Sequence, residues 1–138
     1  MKRIKTWRGA LHEAIEQHRR KAFAFDSQSD CAMFAADCVL AMTGEDLAAD
    51  FRGRYSTQTG AIRVLKAEGF NSLADLVASH LEDIHPIRAR VGDVAFISDD
   101  SPFGGALGIV IGENVATCHS AGIGSVPRTL MTRAFRVP

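Results

Sequence analysis

The chain changes its apolar period at Pro86. Before it, apolar residues recur at helical spacing: Trp7, Leu11 and Ile15 across 5–20, Phe34, Cys38, Val39 and Met42 across 31–43, and Ala61, Ile62 and Leu65 across 57–68. Gly44 and Gly69 stand where the second and third of these helices should stop. A short helix or turn is expected around 46–52. Ser72-Leu73-Ala74-Asp75 is a capping box with Asp in place of Glu and opens a helix to about His80. After Pro86 the apolar runs are short and β-rich, at 93–97, 107–111, 115–119 and 134–137, with Gly, Asp, Asn or Pro between them. Gly112-Glu113-Asn114 is a hairpin loop. Helices followed by antiparallel strands define an α+β fold rather than a βαβ alternation. The expectation is a single domain over 1–138, with a helical half at 1–85 and a sheet half of four to five strands at 91–138. Neither half has a full core of its own.

Composition narrows the function classes. Sixteen basic and 16 acidic side chains balance in 138 residues, so bulk charge gives no reason to expect nucleic-acid binding. The locally basic N-terminal stretch (Lys2, Arg3, Lys5, Arg8, His18, Arg19, Arg20, Lys21) is interrupted by Glu13 and Glu16 and reads as a solvated helix face. No apolar run approaches the ~20 residues of a membrane span. Met1-Lys2-Arg3 leads into no apolar segment, so synthesis in a bacterial cytoplasm without a signal peptide is expected. Cys31, Cys38 and Cys118 form an odd set and are expected as free thiols. Cys31 and Cys38 lie on one helix, ~10 Å apart at 1.5 Å per residue, and cannot bridge. Cys118-His119 lacks the paired spacing of a zinc site, and the Gly pairs at 104–105 and 122–124 lack a strand–loop–helix setting, so no metal and no cofactor is expected.

The candidate reactive residue is Cys31. In Ser29-Asp30-Cys31-Ala32-Met33-Phe34 a polar turn runs straight into an apolar helix, and Ser29 or Asp30 can cap it. A thiol in the first turn meets unpaired N–H groups and the positive end of the helix dipole, which favour the thiolate. Cys31 is therefore expected to have the lowest pKa of the three thiols. Cys38 and Cys118 read as packing residues. Nucleophilic catalysis also needs a base within hydrogen-bond reach. His119 is the one histidine of the sheet region and shares a strand face with Val115 and Thr117. It can be read as a substitute base, an orienting group, or a strand-end histidine with no role. His12, His18, His80 and His85 read as solvated or structural, and Phe103 as a residue able to cover Cys31.

Asp30-Cys31 at a helix start, Val91-Gly92-Asp93-Val94-Ala95-Phe96 at the first sheet strand, and Leu107-Gly108-Ile109 followed by Gly112 together resemble the NlpC-type papain-fold cell-wall peptidases. The resemblance implies a papain-like fold and a thiol hydrolase of peptidoglycan peptides, with Cys31 as nucleophile and His119 at the place of the orienting residue. Ala106 stands at the position of the family's base, Ala32-Met33 replaces its Ser-Gly, and Phe25-Asp26 replaces its Trp-Gly. The stretches Ala41-Met42-Thr43-Gly44-Glu45-Asp46 and Arg52-Gly53-Arg54-Tyr55 make the chain similar to small phage and prophage tail-associated relatives of these peptidases. That likeness implies a component of the phage tail, weak or degenerate in catalysis. It would contact tail-tip or hub proteins or the cell wall, or act as a thiol hydrolase in which Cys31 uses His119 as base.

Overall fold

The computed structural model describes residues 1–138. Four α-helices come first: α1 Trp7–Arg19, α2 Cys31–Thr43, α3 Gln58–Ala67 and α4 Leu73–Ala78. Helix α1 buries one face, through Leu11, Ala14 and His18. Helix α2 is apolar almost all round, and Met33, Phe34, Ala35, Ala36, Cys38, Val39 and Met42 are all buried. It packs against α1 on one side and the sheet on the other, so little of it faces solvent, Leu40 being its one exposed residue. Its start is set by Asp30, whose Oδ1 accepts from the Met33 N–H at 3.1 Å. Its stop is set by Gly44 in the left-handed region at φ 83°. Thr57 and Ser72 cap α3 and α4 in the same way through Gly60 and Asp75 N–H groups.

The second half is one antiparallel sheet of six strands: β1 Glu82–Ile84, β2 Val94–Ser98, β3 Gly105–Val110, β4 Asn114–His119, β5 Gly122–Pro127 and β6 Arg133–Arg136, in the order β1-β6-β2-β3-β4-β5. Four to five were expected. The unforeseen strands are the two edges. β1 is three residues long with two exposed charges, and it lies inside the segment read as helical. β5 reads Gly-Ile-Gly-Ser-Val-Pro and is nowhere fully buried. An edge strand is held by backbone pairing on one side and tolerates glycine, charge and a terminal proline, so it carries little side-chain pattern.

The two faces of the sheet have different neighbours. Val94, Phe96, Leu107, Ile109, Ala116, Cys118 and Phe135 join the helices in the main core. Ala95, Val110, Val115, Met131 and Ala134 form a smaller cluster on the other face. The register follows this division: Phe96 pairs with Leu107 and Val94 with Ile109 toward the helices, while Ile97 pairs with Ala106 and Ala95 with Gly108 away from them.

Two ionic clusters fasten the ends of the molecule. Arg52 donates to Asp37 at 2.7 Å and to Asp46 at 2.8 Å, and Asp37 also meets the buried His18 at 2.6 Å, so α1, α2 and the 46–55 segment are tied together. At the start of β2, the fully buried Asp93 accepts from Arg3 at 3.1 Å and from the Val137 and Arg90 backbone N–H groups, with Arg136 Nε 3.3 Å away.

Candidate functional site

Cys31 is the first residue of α2 and lines a small, almost wholly apolar cavity of about 80 Å³. Phe25 and Phe103 stack at 5.7 Å between centroids and wall that cavity, with Leu107 of β3 opposite. Phe103 thus takes the covering place expected for it. Beneath the helix start, Asp30 is 2% exposed and serves two donors, the Met33 N–H and the Tyr55 hydroxyl at 2.7 Å. Cys118 of β4 closes the other side, its thiol donating to the Ser29 carbonyl at 3.4 Å.

This environment does the opposite of what a helix start alone suggests. Burial pushes the Cys31 thiol up to about 12; the Leu107 N–H partly offsets this, and the charge of Asp30 adds to the rise. By surface the residue is half-buried. Cys118 is raised less, to about 11, again chiefly by burial, and Cys38 is raised further. The expected low-pKa thiol is therefore corrected. The capping carboxylate that makes the helix start also neutralises its positive end, and the apolar walls withhold water from a thiolate. Burial raises Asp30 itself, against the hydrogen bonds from Tyr55 and Met33.

His119 and Cys31 are not brought together. Cys118 packs into the helix-side core, so its strand neighbour His119 points to the other face. There His119 is exposed, and its Nδ1 accepts from the Ala121 N–H at 3.2 Å. Its ring lies over Gly124 of β5, where any Cβ would come within 3.0 Å of Nε2. Ala106 faces the same way, opposite Ile97, and the residue β3 turns toward Cys31 is Leu107. His18 belongs to the Asp37 cluster, and His80 borders the cavity from the α4 end beside Val77 and Leu81. The Leu107 N–H favours the Cys31 thiolate, and the acidic groups Asp30, Cys118 and Asp99 oppose it. No three His, Cys, Asp or Glu side chains converge to hold a metal ion, and no helix is long and apolar enough to cross a membrane. Sequence reasoning left out Tyr55 and Cys118 as neighbours of the site. No local signal links Tyr55 to Asp30, 25 residues away in the chain.

A family model described as a domain of unknown function (DUF6950) matches residues 2–137. The chain belongs to the DUF6950 family. No curated protein matches this DUF6950 member in sequence. Among solved structures, the crystal structure of the NlpC/p60 domain of peptidoglycan hydrolase SagA is similar. The TM-score is 0.55 at 14% identity, over 93% of this chain and 97% of that one. At that identity the likeness establishes the NlpC/p60 type of fold for the DUF6950 chain, helices first and antiparallel sheet second.

Proposed function

We infer that this chain is a catalytically silent NlpC/p60-fold protein that works by binding. The observation that carries the reading is the enclosure of Cys31 in an apolar cavity with the expected base, His119, turned to the other face of the sheet: a thiol kept neutral by burial is a weak nucleophile. The quoted likeness of 41–46 and 52–55 to tail-associated phage and prophage proteins supports a place in a phage tail. There the chain would bind tail-tip or hub proteins or contact the cell wall.

Digestion of purified peptidoglycan tests the catalytic half of this reading. Wild type, Cys31→Ala and Ala106→His should all release no soluble peptide, the last because strand β3 turns position 106 away from Cys31. Peptide release by wild type that Cys31→Ala abolishes would overturn the reading, and would restore Cys31 with His119 as the hydrolase pair if His119→Ala abolished it too. Mass spectrometry of purified virions from a strain carrying the gene tests the tail assignment.

A further inference from the structure

A second concavity lies at the opposite end of α2. Thirteen residues separate the two ends of that helix, ~18 Å at 1.5 Å per residue. The Ile4 N–H bonds the Met42 carbonyl there, at 2.7 Å. The concavity measures about 550 Å³ and gathers four arginines, Arg3, Arg8, Arg90 and Arg136, around Trp7. Ligand pockets commonly fall in the range of about 300–1,000 Å³. In a chain of zero formal charge, four guanidinium groups on one depression is a local excess. The carboxylate they share is Asp93, which pairs with Arg3 and Arg136. Arg8 and Arg90 form no ion pair and no side-chain hydrogen bond, so cationic groups outnumber the Asp93 carboxylate here.

Two of the four guanidinium groups are held by hydrogen bonds, and a third lies over Trp7. Arg3 donates through Nε to the Val137 carbonyl at 3.0 Å and through Nη1 to the Val91 carbonyl at 2.8 Å. Its guanidinium stacks on Trp7 at 4.2 Å from the ring centroid, and that of Arg8 lies 4.5 Å from the same centroid. Arg136 donates to the Arg88 carbonyl at 3.0 Å, and its buried Nε faces Asp93 Oδ2 at 3.3 Å. Two anchored guanidinium forks beside two unpaired ones, gathered around one aromatic ring, offer an oxyanion donors from several directions.

We propose that this pocket is a binding site for a phosphoryl group. A dianionic phosphoryl offers three oxygens in different directions and can engage guanidinium forks from several walls at once, whereas a carboxylate offers two in one plane. The site is remote from Cys31 and stands whether or not that thiol is catalytic.

Titration calorimetry of the full chain with inorganic pyrophosphate at low salt tests it. The double variant Arg8→Gln/Arg90→Gln removes the two unpaired cations and leaves the Asp93 cluster intact, so its unliganded melting temperature should match wild type. Saturable binding by wild type, weakened about tenfold or more in the double variant and unchanged in the exposed Lys66→Gln control, is the expected result. Co-sedimentation with phosphatidylglycerol vesicles, against phosphatidylcholine alone, separates the sources of the phosphoryl. Vesicle binding that the double variant loses, without pyrophosphate binding, supports the site with a lipid headgroup as its ligand. Failure of both ligands, equal loss in Lys66→Gln, or malonate binding as tightly as pyrophosphate would overturn the proposal.

Discussion

At the N-terminal end of α2 a carboxylate, Asp30, is buried against a tyrosine hydroxyl and a backbone N–H. Near its C-terminal end a second carboxylate, Asp93, is buried against two guanidinium groups and two backbone N–H groups. Both are almost wholly withdrawn from water, at 2% and 0% exposure, yet they shape their surroundings in opposite senses. Burial raises the pKa of Asp30 against its two neutral donors, and its charge works against a thiolate on the next residue. Asp93 meets cations and serves as the post to which Arg3 and Arg136 are tied. A buried carboxylate thus sits beside a dry, apolar cavity at one end of the helix and ties down two arginines at the other.

The largest expected effect breaks that contrast directly. Asp93→Ala removes the shared partner of two partly buried arginines and should lower unfolding free energy by about 3 kcal/mol or more in urea titrations. Asp30→Asn keeps a capping oxygen and an amide able to meet Tyr55, and should cost less than about 1 kcal/mol. Equal losses would mean that the two carboxylates are held alike. Tyr55→Phe comes next, with an expected cost of about 2 kcal/mol from a hydrogen bond to a charged group. In the Asp30→Asn background its cost should fall, and strict additivity would show that the Tyr55–Asp30 bond carries no energy. The smallest effect concerns reactivity. Because the Asp30 charge raises the Cys31 pKa, Asp30→Asn should lower it and speed iodoacetamide alkylation of Cys31 at a fixed mildly alkaline pH. Mass-spectrometric mapping that found an unchanged or slower rate would remove Asp30 from the account of the silent thiol.

Much of the architecture could be read from the chain before the structure. Helix α2 runs from Cys31 to Thr43 as expected, because both of its signals, Asp30 before an apolar run and Gly44 after it, are local. The interior strands β2, β3, β4 and β6 fall on the expected apolar runs, which must cover two buried faces. The edge strands β1 and β5 escaped notice because backbone pairing, not side-chain pattern, holds them. At the site, Cys31 was legible and its chemistry was not. A helix start favours a thiolate, but the cavity walls come from the preceding loop at Phe25 and from the distant segment that carries Phe103 and Leu107.

What the sequence determined alone was periodic and local: which segments are helical, where α2 is capped, and that Val115, Thr117 and His119 share one face of a strand. What only the tertiary structure decided was which way that face looks. A period of two says that Cys118 and His119 point in opposite directions, but it is the packing of α2 on the sheet that assigned Cys118 to the core and His119 to the far side. The same holds for Arg3, Arg8, Arg90 and Arg136. Their charges cancel in the sum over the chain, and their convergence on Trp7 exists only once β6 and the N-terminal segment meet beside Asp93. Alternation and capping act over a few residues, whereas burial and charge depend on what the rest of the chain brings near.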